Sequence, residues 1–116
     1  MESSSESYEM LWDRAVKEDM LSFEKLYKSL YSELYHYSLK LSNDEGIAED
    51  AIQDTFLYIW SHKKNIGKIY AVKSYFFRAV RNNCLLLIKR RKKISSMESV
   101  EDQLNLRIDP AEMLSR

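Results

Sequence analysis

Eleven lysines and arginines lie between positions 63 and 93, with no aspartate or glutamate among them. Clustered cations of this kind displace the counterions condensed on phosphates, so the block is suited to a polyanionic partner. The same stretch carries Tyr70, Tyr75, Phe76 and Phe77, together with Asn65, Asn82 and Asn83. Rings stack on unpaired bases and amides bond base edges, so the chemistry on offer is nucleic-acid recognition. A solvated basic helix face would explain the cations alone, but the complete absence of acids argues against it.

A second constellation has the opposite sign. Asp50, Gln53, Asp54 and Leu57 recur at i, i+3, i+4 and i+7, which places them side by side on one helix surface. An acidic-amide patch with one exposed leucine resembles a protein docking surface. Part of its acidity also suits a helix N-terminus, where Asp44, Glu45, Glu49 and Asp50 complement the dipole. The two constellations explain a neutral average that hides a polarised chain. Residues 1–62 hold 5 basic and 13 acidic residues, and residues 94–116 hold 2 and 5, against the 11 unopposed cations between them.

Other chemistry finds little support. His36 and His62 are isolated, and no Ser-His-Asp arrangement, glycine-rich phosphate loop or paired-carboxylate pocket is evident. Asp50 and Asp54 stand one helical turn apart but have no further partners for a metal. A single cysteine, Cys84, excludes an internal disulfide and a cysteine-based zinc site, and its apolar neighbours make it a buried small hydrophobe. The expectation is a protein that is not an enzyme and needs no cofactor or metal. No apolar run approaches the length of a membrane span, and residues 1–9 lack the pattern of a secretory signal. A cytoplasmic location and a monomer in isolation are expected.

The elements that position these residues are helices. Two glycines and one proline in 116 residues leave little material for tight hairpins, so one all-α domain with no sheet is expected. A first helix at about 8–17 places Leu11, Trp12, Ala15 and Val16 on one side. Asp19 is suited to cap a second helix ending near Leu41, with Phe23, Leu26, Leu30, Leu34, Tyr37 and Leu41 as its buried stripe. Tyr27, Tyr31 and Tyr35 flank that stripe. Ser42, Asn43 and Asp44 break this helix and cap a third, at about 45–61, whose inward face is Ile47, Ala48, Ala51, Ile52, Thr55, Phe56 and Ile59. Residues 62–71 contain Gly67 and read as a loop. A fourth helix at about 72–92 turns Val72, Phe76, Ala79, Val80, Asn83 and Leu87 inward. It turns Ser74, Arg78, Arg81, Asn82, Leu85 and Lys89 outward. Residues 1–7 are expected to be disordered, 8–93 to form the helical domain, and 94–116 to be a linker or flexible tail.

With these elements in place, three segments resemble region 2 of the extracytoplasmic-function (ECF) group of bacterial sigma factors. The strongest is Ala48-Glu49-Asp50-Ala51-Ile52-Gln53-Asp54-Thr55-Phe56-Leu57-Tyr58-Ile59-Trp60, an acid–alanine–acid helix ending in Phe-Leu-x-x-Trp. Upstream, Asp19-Met20-Leu21-Ser22-Phe23-Glu24-Lys25-Leu26-Tyr27 and Leu34-Tyr35 are similar to that group's second helix. Downstream, Ser74-Tyr75-Phe76-Phe77-Arg78-Ala79-Val80-Arg81-Asn82 is similar to its promoter-reading helix. The match is collinear over about 8–93. It departs at Leu86, where the family usually carries an acidic or amide residue.

The resemblance implies a compact bundle of about four helices that acts as a transcription initiation factor domain. It implies that Asp50, Gln53, Asp54 and Leu57 dock on the clamp helices of the largest subunit of core RNA polymerase. The non-template strand of the minus-ten promoter element would meet the basic face of the fourth helix. Arg78, Arg81 and Asn82 are the foremost contacts there, joined by Lys73, Tyr75 and Lys89. The loop at 63–70 matches the one that captures a flipped base in this group, with Lys64, Asn65 and Lys68 as candidates between which the sequence does not choose. An anti-sigma factor is a further implied partner. Family members also carry a second helical domain, region 4, which residues 94–116 do not supply. Those residues resemble the start of an interdomain linker, which favours excision from a longer protein over natural truncation. The competing reading is a helical protein-interaction module whose basic patch meets nucleic acid or a membrane surface without specificity.

Overall fold

The structure, a computed structural model, describes residues 6–96. These form four helices in chain order, α1 (Tyr8–Val16), α2 (Met20–Ser42), α3 (Glu45–Ile66) and α4 (Val72–Ser96), with no strand among the described residues. The all-α expectation holds. Residues 1–5 and 97–116 lie outside the described residues, and α4 runs through Ser96, three residues into the linker expected at 94–116.

The first three helix starts each have a local cause. Ser7 accepts the Met10 amide at 3.1 Å and caps α1. Asp19 caps α2 through the Ser22 amide, and Asp44 caps α3 through the Ile47 amide at 3.0 Å. Asn43 ends α2 in the left-handed conformation, φ 56°, which its short amide side chain tolerates better than most. Glu6 lies between Arg14 and Lys25 and pairs with both, tying the chain before α1 to α1 and α2.

The core joins all four helices around aromatic rings. Trp12 of α1 and Phe76 of α4 meet edge-on at 6.1 Å, and Phe56 of α3 lies 5.0 Å from Phe76. Phe23 of α2 packs on Phe56 and on Trp60. Leu26, Leu30, Leu34, Ile52, Ile59, Val72 and Val80 fill the space around them. Tyr27, Tyr31 and Tyr35 are half-buried on the flank of α2, as their spacing suggests.

The α2 stripe differs from expectation at its end. It continues from Leu34 to the buried Ser38, leaving Tyr37 half-buried and Leu41 exposed. A serine there lets α4 come close, and the Cys84 thiol sits 3.7 Å from the Ser38 carbonyl. Cys84 is fully buried, and burial pushes its thiol up from the ordinary range, so it is a packing residue. On α4, Val72, Phe76, Val80, Asn83 and Cys84 are buried, while Ala79 and Leu87 are only half-buried. Among the described residues no helix is long and apolar enough to cross a membrane.

Candidate nucleic-acid interface

The expected loop at 62–71 is half as long as its sequence suggests. α3 continues through Ile66, and the connection to α4 is residues 67–71. Basic side chains extend the helix although they carry no apolar period. His62 stacks on Tyr58 at 4.0 Å, with its Nδ1 2.9 Å from the Tyr58 carbonyl. Lys63 buries its stem, places its ammonium 3.8 Å from the centre of the Trp60 ring and donates to the Trp60 carbonyl at 3.2 Å. Cations in a last turn also complement the helix dipole. Gly67 ends α3 at φ 70°, ψ −145°, a conformation that residues with a Cβ rarely adopt.

Lys64 and Asn65 are therefore exposed residues of the last turn of α3, not of a loop. Lys64 pairs with Glu18 at 3.2 Å, and Glu18 also reaches Lys63 at 3.2 Å. Hydrogen bonds from these two lysines, Lys64 foremost, hold the Glu18 carboxyl below the usual carboxylate range. Lys68 lies in the connection and pairs with Asp13 of α1 at 3.3 Å. Lys73 pairs with Glu33 of α2 at 3.0 Å, and its hydrogen bond to Glu33 raises the lysine above its ordinary value. Three of the candidate cations thus already have acidic partners within the chain.

The connection and the first turns of α4 enclose an open cleft of about 410 Å³, lined by Ile66, Lys68, Ile69, Tyr70, Ala71, Ser74, Tyr75 and Arg78. Of the sequence candidates it gathers Lys68, Tyr75 and Arg78. Lys64, Asn65, Lys73, Arg81, Asn82 and Lys89 are not part of its lining. Tyr75 is half-buried, and desolvation, with Tyr58 as a lesser cause, pushes its hydroxyl up. Tyr70 is 83 % exposed, with the Lys68 ammonium 5.6 Å from its ring centre. In the sequence Tyr70 stands out only as one aromatic of the basic block, and its place in the cleft was not expected. A tyrosine beside Lys68 in a glycine-bearing connection is the signal that could have singled it out.

Arg78, Arg81, Asn82 and Lys89 are all exposed along the outward side of α4. Arg78 and Lys89 are about 16 Å apart by helical rise. Among the described residues Arg78, Arg81 and Lys89 make no ion pair, which leaves their charge available to an external anion.

The acidic constellation occupies α3. Asp50, Gln53, Asp54 and Leu57 are all exposed, Leu57 by 65 %. Gln53 donates to the Tyr27 hydroxyl at 3.2 Å, which links this face to α2. Desolvation and then the Asp50 charge raise the Asp54 carboxyl above the usual range, against a weaker opposing pull from Arg90 of α4. Among the described residues no further histidine, cysteine or carboxylate joins Asp50 and Asp54 in a group that could hold a metal.

The chain is similar to proteins of a known family. The family model described as Sigma-70 region 2 matches residues 26–94. Over 75 residues the chain is 28% identical to the ECF RNA polymerase sigma factor SigM of Bacillus subtilis (strain 168), covering 63% of this chain and 44% of that protein. Over 71 residues it is 34% identical to the ECF RNA polymerase sigma factor SigL of Mycobacterium tuberculosis (strain ATCC 25618 / H37Rv), covering 57% of this chain and 39% of that protein. The matched part thus spans less than half the length of these relatives. No solved structure matches the chain.

Proposed function

Because the chain belongs to the Sigma-70 region 2 family, we propose that it is a transcription initiation factor domain that docks on core RNA polymerase and binds the minus-ten element as single strand. The carrying observation is the pair of exposed arginines, Arg78 and Arg81, that run from an aromatic-lined cleft along α4 and make no ion pair among the described residues. Phosphates would meet these arginines and Lys89, while a base leaving the duplex stack would enter the cleft beside Tyr70, Tyr75 and Lys68. Stacking on an aromatic is worth roughly 1–3 kcal/mol per base, comparable with the cost of unstacking. Preferential binding of single strand thereby offsets part of the work of opening the promoter. Asn82 would reach base edges from the same helix side, and Lys64, Asn65 and Lys73 would approach flanking backbone. Asp50, Gln53, Asp54 and Leu57 would face the polymerase clamp helices on another side, so that one chain bridges enzyme and DNA. An anti-sigma factor would compete for one of these faces.

The test is selection from a single-stranded DNA pool with a randomised six-nucleotide window, followed by titration of the enriched oligonucleotide against its scramble. We expect a sequence preference and affinity that falls steeply with salt. Equal binding of enriched and scrambled strands would reduce the basic face to a nonspecific polyanion site. Binding to anionic vesicles but not to DNA would favour the membrane-surface reading. In parallel, Asp50→Lys with Asp54→Lys is expected to abolish association with core polymerase while the helical circular dichroism persists. Normal association of that variant would remove the docking assignment.

A further inference from the structure

The connection at 67–71 is fastened at both ends to one face of α1. At its start the Trp12 indole donates from Nε1 to the Gly67 carbonyl at 2.8 Å, and Asp13 holds the next residue, Lys68. At its end the Val72 amide donates to Glu9 Oε2 at 3.0 Å. Glu9, Trp12 and Asp13 stand at i, i+3 and i+4, so a single helical turn presents all three. The last of these bonds supplies something α4 lacks. Ala71 accepts the first helical bond of α4, from Tyr75, but has no side chain with which to cap it. The first turn of α4 holds no acidic residue either. Its dipole and its first orphan amide are met by a carboxylate 63 positions earlier in the chain.

We propose that Glu9 is a positioning residue for DNA recognition, capping α4 from α1 and, with Trp12 and Asp13, holding the cleft open in its binding geometry. This rests on the reading of the α4 face given above, and α1 lies wholly outside the residues 26–94 matched by the family model. The cleft wall consists of the connection and the first turns of α4, including Ser74, Tyr75 and Arg78. Were the α4 N-terminus to fray, those residues would have to be ordered again on binding, at the expense of affinity for a fitting base. Phosphate contacts farther along α4 would persist, because they depend on charge and not on the shape of the cleft. Loss of the cap should therefore lower discrimination between sequences more than it lowers overall DNA binding.

The experiment uses the full chain with Glu9→Ala, Glu9→Gln and Glu9→Asp. Gln keeps an acceptor oxygen without the charge, whereas Asp keeps the charge but shortens the reach. The probes are the enriched oligonucleotide from the randomised pool and its scramble, and protection of the Val72 amide against hydrogen exchange is followed alongside. For Glu9→Ala and Glu9→Asp we expect the affinity ratio of enriched to scrambled strand to fall about fivefold, the size of effect a lost cap produces. Glu9→Gln should keep the ratio and the Val72 protection. A parental ratio in Glu9→Ala, or a loss in Glu9→Gln equal to that in Glu9→Ala, overturns the proposal. If the parent chain enriches no sequence, the proposed function fails, and the cap is judged by exchange alone. Val72 protection that is unchanged in Glu9→Ala then overturns it, and protection lost in Ala but kept in Gln sustains it.

Discussion

Asn83 donates from its side-chain amide to the Thr55 hydroxyl at 2.6 Å, inside the buried interface of α3 and α4. The Thr55 hydroxyl donates in turn to the Ala51 carbonyl at 2.7 Å. This short relay is the polar link beneath the two outward faces, one acidic on α3 and one basic on α4. Thr55→Val keeps the shape but leaves the Asn83 amide without its acceptor, at a cost of about 1–3 kcal/mol. The double variant Thr55→Val with Asn83→Leu should recover part of that loss, because neither partner is then left unmade. Urea denaturation of the four chains in the cycle measures both effects. A Thr55→Val midpoint equal to that of the parent would mean the relay contributes nothing to stability.

Gly67 should resist substitution for a conformational reason alone. Among the described residues, no heavy atom beyond Gly67 itself and its two chain neighbours lies within 4 Å of the position a Cβ would take, so a methyl group has room, but φ is 70° and ψ is −145°. Gly67→Ala is therefore expected to cost about 1–3 kcal/mol through backbone strain. Thermal unfolding measures the loss. Unchanged melting would show that the turn relaxes without cost.

Stability should fall on acidification, with one local exception. Glu6, Glu18 and Asp19 are all held below their ordinary values, by Arg14 and Lys25, by Lys64 and Lys63, and by the Ser22 hydroxyl and amide respectively. A carboxyl lowered in the folded state contributes stability above its unfolded value, and that contribution is lost as pH falls through the folded value. Asp54 is raised instead, so its ionisation opposes folding as pH rises past the ordinary aspartate value. Asp54→Asn should therefore stabilise the chain at neutral pH, with the gain vanishing in acid where the parental carboxyl is protonated in both states. The same variant should weaken polymerase association. Urea midpoints across the acid range, compared between parent and variant, check the sign, and a gain that persists in acid would contradict it.

Salt dependence should separate the arginines that make no ion pair among the described residues from the paired lysines. Each single-strand phosphate contact removed lowers the slope of log affinity against log salt by about 0.7, measurable between about 50 and 200 mM. Arg78→Ala and Arg81→Ala should each show that change. Lys73→Ala should show less, because Glu33 already holds that ammonium. Fluorescence anisotropy with the enriched strand provides the slopes, and equal changes for all three would indicate that the Glu33 pair opens on binding.

The four helices are legible in the sequence because their caps and apolar periods agree: Asp19 and Asp44 mark starts, Asn43 marks an end, and Phe23 to Leu34 mark a buried stripe. The acidic face of α3 and the outward series on α4 are legible for the same reason, since both follow from spacing within one helix. The end of α3 is not, because residues 62–66 are held helical by a lysine stem folded over Trp60 and by Glu18 across the chain. The exchange of Ser38 for Tyr37 in the α2 stripe depends on how closely α4 approaches, which no period within α2 encodes. Nor does local sequence disclose that Asp13, Glu18 and Glu33 claim lysines 40 or more positions away. These pairings exist only once the helices are packed.

Trp12 gives the domain a built-in optical gauge. Its indole is fully buried and bonded to the carbonyl of Gly67, while the other tryptophan, Trp60, is half-buried beneath a lysine ammonium. In a Trp60→Phe background, emission would come from Trp12 alone, and its wavelength would report whether the indole keeps its carbonyl partner or meets water. Movements of the connection during DNA capture could then be timed in stopped flow without any attached dye.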